Sequence, residues 1–142
     1  MSGLYGALRF TEETNENLWN FSHSLNGVIN YIPRKEYHST VVYSKRKLPY
    51  APALTQKIII DPSTYKWLIF KPYLVLSYQN SDVFALWNDG IKMGATWDFE
   101  DYTPHVSIGF SDQSQAWILP DFPLIVSDLY TCPLNEDFPM PN

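Results

Sequence analysis

Apolar and polar positions alternate with a period of two over several short runs of this chain, and the two clearest each carry a histidine near their start. In residues 104–110, Val106, Ile108 and Phe110 alternate with His105, Ser107 and Gly109, which separates an apolar face from a polar one. Residues 37–44 repeat the arrangement: Val41 and Tyr43 alternate with His38, Thr40 and Ser44, although Val42 falls on the polar side. Side chains at i and i+2 of a strand point the same way. Each run is therefore predicted to present one imidazole and one hydroxyl on a common face.

Further strands are predicted over residues 4–10, 73–78 and 124–131, with 57–60 and 65–70 forming a strand pair around the Asp61-Pro62-Ser63 turn. The tail containing Pro133, Pro139 and Pro141 reads as irregular. Helical cues fill the two gaps before the histidine runs. The first has Thr11 as N-cap, Glu12 and Glu13 where the helix dipole favours acids, Leu18, Phe21, Leu25 and Val28 as an apolar face, and Gly27 as a stop. The second opens at Ser81 and Asp82, carries a stripe of Val83, Trp87 and Ile91, and stops at Gly94; Asn88-Asp89-Gly90 could instead turn a hairpin.

The chain thus reads strand, helix, histidine strand, twice over, with similar spans. A pseudo-two-fold pairing of the halves would bring the two histidine strands together in one cleft. The third histidine, His23, has Leu25 at i+2 and lies in a helical pattern, where an ordinary surface or boundary role is expected.

A length of 142 residues, 45% hydrophobic and 18% charged, fits one globular domain over 1–142 with a core that needs no covalent staple. The single cysteine, Cys132, excludes an internal disulfide framework and suits a reducing cytoplasm. No secretory signal pattern and no apolar run of membrane-spanning length is present, so a soluble protein without membrane partners is expected. A net charge of -5 argues against binding to long nucleic acid. Yet Arg34, Lys35, Lys45, Arg46 and Lys47 bracket the first histidine strand, where they could concentrate a small anionic ligand or simply cap the strand at the surface.

Two imidazoles and two hydroxyls on neighbouring strands would supply an acid, a base and two groups for phosphoryl oxygens. That is equipment for cleaving a phosphodiester without a metal or other cofactor. A zinc or iron site is the weaker chemical alternative, since no His-x-x-x-His or Cys-x-x-Cys spacing occurs.

The paired His-x-Ser/Thr runs resemble the signature of the two-histidine, or LigT-like, phosphoesterase superfamily. The flanking segments, Gly3-Leu4-Tyr5-Gly6-Ala7-Leu8-Arg9-Phe10 and Gly94-Ala95-Thr96-Trp97-Asp98-Phe99, are most similar to the phage anti-CBASS phosphodiesterases, which destroy cyclic nucleotide alarm signals of bacterial antiphage defence. This resemblance implies an α+β, bilobal fold whose two pseudo-symmetric strand-helix-strand halves form a concave antiparallel sheet cleft. It also implies metal-independent cleavage of 3′,5′ phosphodiester bonds in cyclic di- and trinucleotides such as 3′,3′-cGAMP, in the cytoplasm of an infected host. A 2′-hydroxyl would attack, passing through a 2′,3′-cyclic phosphate. His38, Thr40, His105 and Ser107 match the reactive pattern. Tyr5 and Trp67 match aromatic groups that stack on bases, and Glu136 matches an acidic base contact. On the first strand Leu4, Gly6, Leu8 and Phe10 share one face, leaving Tyr5 and Arg9 on the other, and Trp67 sits in an aromatic run where core packing is the competing role. The same four residues would equally serve a cellular 2′,3′-cyclic phosphodiesterase or 2′,5′ RNA phosphoesterase, and the cleft alone would serve a non-catalytic cyclic-nucleotide sponge.

Overall fold

Thr11, the polar residue ahead of the first helical pattern, caps that helix as expected, its hydroxyl accepting from the Thr14 amide at 3.2 Å with Glu12 and Glu13 in the first turn. The computed structural model describes residues 3–99, 101–111 and 117–134. Within them lie strands β1 (Gly3–Phe10), β2 (His38–Ser44), β3 (Ile59–Ile60), β4 (Lys66–Phe70), β5 (Tyr73–Ser77), β6 (His105–Phe110) and β7 (Leu124–Leu134), and helices α1 (Glu12–Ser22) and α2 (Ser81–Lys92). The architecture is α+β with two antiparallel sheets, a four-stranded one in the order β2-β1-β7-β3 and a three-stranded one in the order β4-β5-β6. No helix among the described residues is long and apolar enough to cross a membrane.

The internal repeat is real. β1-α1-β2 and β5-α2-β6 each run strand, helix, histidine strand, and in each the histidine strand pairs antiparallel with the strand that precedes the helix. Helix α2 forms where the hairpin alternative stood. Asn80 caps it, its side-chain oxygen accepting from the amides of Asp82 and Val83 at 2.9 and 3.0 Å, and Gly94 leaves it with φ of 102°.

Three expectations are corrected. Helix α1 stops at Ser22, short of Gly27, because the side chains of Ser22, His23 and Ser24 hydrogen-bond the last-turn carbonyls of Trp19 and Phe21. Leu25 and Val28 are still buried, but off the helix, around Leu74. The segments 57–60 and 65–70 do not pair with each other: β3 joins β7 in one sheet and β4 joins β5 in the other, so the turn at Asp61 is a crossing between lobes. Finally, β7 runs through Pro133 to Leu134, opposite Leu4 and Gly3 of β1.

The main core lies between the sheets and helices, built from Leu8, Leu18, Val41, Leu76, Val83, Val106, Ile108 and Leu124, among others. Gly109 in β6 is required by a close approach. A Cβ there would lie 2.7 Å from Val28 Cγ1 and 3.1 Å from the Ile29 carbonyl, where the segment after α1 crosses β6 and bridges to Phe110.

Candidate active site

His38 is the first residue of β2 and His105 the first of β6, and both rings are held alike. His38 Nδ1 lies 2.8 Å from the Glu36 carbonyl and His105 Nδ1 2.7 Å from the Thr103 carbonyl, in each case the residue two positions earlier. A carbonyl oxygen can only accept, so Nδ1 carries the hydrogen in both rings. In the neutral imidazole Nε2 is then the basic nitrogen, and in the imidazolium Nε2–H is the proton to give. Both rings are half-buried.

The likeness continues along the strands. Between Gly6 and Ala7 the register of β1 with β2 passes from Val42 to Thr40, leaving Val41 as an extra residue. Between Leu74 and Val75 the register of β5 with β6 passes from Gly109 to Ser107, leaving Ile108 as an extra residue. Each histidine strand therefore bulges immediately after its hydroxyl residue, and both extra side chains are fully buried. The bulge at Val41 also accounts for Val42, which falls on the polar side of the alternation because the phase slips there.

β2 and β6 are each the edge of their own sheet, and they lie against one another across the seam between the lobes. Two cavities open along this seam. One, of about 530 Å³, is lined by Thr40 and His105 together with Phe70, Trp97, Phe99 and Tyr102. The other, of about 320 Å³, is lined by His38 and Ser107 together with Arg9, Lys35, Glu36 and Tyr130. Each cavity combines the histidine of one motif with the hydroxyl of the other. At about 3.3 Å per residue, the groups that each strand gives to the two cavities are about 7 Å apart.

The hydroxyls differ in their surroundings. Thr40 Oγ1 shares a hydrogen bond of 2.8 Å with the Tyr5 hydroxyl, and its carbonyl accepts from Tyr102 at 2.8 Å. Next to it, buried Ser39 shares a hydrogen bond of 2.6 Å with Tyr78, which ties β2 to the opposite lobe. Burial holds the phenols of Tyr5, Tyr78 and Tyr102 above the ordinary tyrosine range, so each keeps its proton. Ser107 is 4% exposed, and its Oγ has no hydrogen-bond partner among the described residues.

The larger cavity brings Thr40 and His105 together and the smaller one His38 and Ser107; the three proposed ligand contacts fare differently. Tyr5 is 1% exposed, its ring against His38, Tyr43 and Tyr130 with Leu134 beside it, so it is not an open stacking platform. β1 is flanked by β2 and β7, whose side chains Tyr43, Tyr130 and Leu134 enclose the Tyr5 ring. The Tyr5 hydroxyl instead holds Thr40. Trp67 lies among Phe21, Trp117 and the Leu25–Val28–Leu74 cluster, and its indole N–H donates to the Ile118 carbonyl at 3.2 Å. It faces the helix side and lines neither cavity. Glu136 lies outside the described residues.

Sequence reasoning did not single out Phe70, Trp97, Phe99 and Tyr102, the aromatic wall of the larger cavity, or Arg9 in the smaller one. Phe70 was within reach of strand parity: it is an odd number of residues from Trp67 and so must take the opposite face of β4, where its ring meets His105 edge-on at 5.0 Å. Of the basic residues around β2, Lys35 lines the smaller cavity, whereas Lys45 is paired with Asp98 at 3.2 Å. His23 sits at the end of α1, stacked on Tyr31 at 4.0 Å, away from the seam.

The family described as Anti-CBASS protein Acb1 matches residues 2–140 of this chain. The Anti-CBASS protein Acb1 of Enterobacteria phage T4 is 31% identical over 121 residues, covering 78% of this chain and 73% of that protein. Its counterpart in Salmonella phage S16 is 28% identical over 137 residues, covering 94% and 90%. Among solved structures, E. coli LigT complexed with NADP+ superposes with a TM-score of 0.66 at 11% identity, over 93% of this chain and 87% of LigT. A second structure, described as a phosphoesterase, gives 0.62 at 12% identity over 94% and 88%. These two likenesses establish the two-histidine phosphoesterase fold.

Proposed function

This chain belongs to the anti-CBASS Acb1 family, and from that premise we propose that it hydrolyses the 3′,5′ phosphodiester bonds of cyclic di- and trinucleotides such as 3′,3′-cGAMP, in the cytoplasm of an infected bacterium. The observation that carries the reading is the crossed pairing, in which each cavity joins one motif's imidazole to the other motif's hydroxyl. A phosphorus centre on the seam would have a histidine Nε2 on each side of it.

In the first step Nε2 of one neutral imidazole takes the proton of the ribose 2′-hydroxyl as the 2′-oxygen bonds to phosphorus. The other imidazolium gives its Nε2 proton to the 5′-oxygen as the P–O5′ bond breaks. Water then opens the 2′,3′-cyclic phosphate with the two histidines in exchanged roles, and a 3′-phosphate remains. Identical Nδ1 anchors on both rings suit this exchange, since each side can act as acid or base. Thr40 and Ser107 would donate to phosphoryl oxygens as charge grows on them. Thr40 is able to do so while accepting from Tyr5, whose protonated phenol is buried beside it.

Incubating the protein with 3′,3′-cyclic GMP-AMP and separating the products tests this directly. A linear dinucleotide bearing a 3′-phosphate, formed equally well in EDTA, is expected. Unaltered ligand recovered only after denaturation would instead mark a sponge. Inertness toward the ring together with cleavage of an RNA 2′,3′-cyclic end would favour the cellular-type activity.

A further inference from the structure

We infer that Arg9 and Ser107 form an anion site for the phosphoryl group of a phosphodiester, with Asp128 and Tyr130 positioning the guanidinium; the assignment of this anion to a substrate rests on the function proposed above. Arg9 is the direct cross-strand neighbour of His38 on β1 and β2, which puts their side-chain roots about 5 Å apart. Both line the smaller cavity, and Ser107 enters it from the opposite lobe.

The guanidinium does not reach this place by chance. Arg9 Nε donates to Asp128 Oδ1 at 2.9 Å, and Nη2 donates to Asp128 Oδ2, so one edge of the fork is fully engaged. The ring of Tyr130 lies 4.8 Å from the guanidinium carbon and fixes its plane. What remains is the opposite edge, whose N–H donors suit two oxygens of a phosphate. Asp128, in turn, is held below the usual carboxylate range by Arg9, so it keeps its charge and its grip.

Ser107 supplies the independent observation. A hydroxyl that is 4% exposed, has no hydrogen-bond partner among the described residues and faces a cavity with an oriented guanidinium is built to meet an acceptor that comes from outside the fold. A tetrahedral anion satisfies the hydroxyl and the guanidinium together. The competing role for Arg9 is a surface tie between β1 and β7, where it sits opposite Asp128. Such half-exposed pairs contribute little to stability, so that role predicts almost no loss when the pair is cut.

The test uses R9A, R9K and D128N in the full chain, with two readouts. In turnover of 3′,3′-cyclic GMP-AMP, R9A is expected to lower kcat/KM by about 10²–10³ at an unchanged unfolding temperature, the loss falling mainly on kcat. Added guanidinium ion should restore at least about ten-fold of it, which no purely structural role would allow. R9K should recover only part, because an ammonium cannot hold Asp128 and a phosphoryl oxygen in one plane. D128N should lose about ten-fold, by loosening the fork. The second readout needs no substrate: inorganic phosphate titrated against the His38 ring resonances should bind R9A at least about ten-fold more weakly than the unaltered chain. If the unaltered chain cleaves no cyclic nucleotide, the proposed function fails, and the phosphate titration alone decides the site. Phosphate binding and turnover both within about two-fold of the unaltered chain in R9A would overturn the inference, and R9K carries the same test if R9A does not fold.

Discussion

β2 and β6 carry the same equipment in unequal surroundings. Each opens on a histidine anchored to the carbonyl two residues back, and each bulges just after its hydroxyl. Yet Thr40 is braced by Tyr5 and Tyr102 and faces an aromatic cavity, whereas Ser107 has no such brace and faces a cavity with charged walls. The backbone repeat is the same on both sides while the walls differ, and under the proposed function the rings of a ligand would go toward Phe70, Trp97 and Phe99 and its phosphate toward Arg9.

The comparison breaks first at the histidines. His38→Ala and His105→Ala should each lower kcat by about 10²–10⁴, and the double variant should fall no further than the worse single one, because acid and base act in one step. Rates of product formation check this. One histidine variant retaining most of its activity would show that the two halves are not equivalent partners.

The hydroxyls come next. Ser107→Ala should lower kcat by about 10²–10³, as for loss of one oxyanion donor, and Thr40→Ser should restore most of what Thr40→Ala removes. Tyr5→Phe sharpens the contrast further. It keeps the ring and deletes the bond to Thr40, so a loss of about ten-fold in kcat at unchanged KM is expected if Tyr5 acts through Thr40. Should Tyr5→Phe be neutral while Tyr5→Ala raises KM steeply, the base-stacking role expected from the sequence would return.

The smallest effects concern stability at the seam. Tyr78→Phe leaves the buried Ser39 hydroxyl without its partner, which should cost about 1–2 kcal/mol in urea unfolding. The buried phenols also set an alkaline limit. Tyr37 is pushed up to about 12 by burial, above its ordinary 10.0. Between those values the unfolded chain has released this proton and the folded chain retains it. Stability should therefore be full below about pH 10 and decline as the pH climbs through that window. Melting temperatures from pH 9 to pH 12 check it, and a flat profile would contradict it.

Much of this was legible in the sequence because short-range rules govern it. Period-two alternation gave both histidine strands, and Thr11, Gly94 and the acidic first turns gave the helices. The faults arise where long-range geometry intervenes. Nothing local says that the chain changes sheets at Asp61, so residues 57–60 and 65–70 looked like a hairpin. Tyr5 looked open because a single strand has a free face, whereas side chains of the neighbouring strands, Tyr43 of β2 and Tyr130 and Leu134 of β7, close around it. Trp67 and Phe70 are both aromatic residues of β4, and only the placement of α1 decides which face is inside. The aromatic wall escaped because Trp97, Phe99 and Tyr102 lie in a loop without periodicity, and Arg9 because its partner, Asp128, is far along the chain.

The carbonyls that clamp the two imidazoles belong to the main chain of positions 36 and 103. Whatever amino acids mutational drift places there, the oxygen remains, so the nitrogen that each neutral ring leaves unprotonated is inherited with the strand itself. Both flanks can be rewritten without disturbing the tautomer that the fold prescribes.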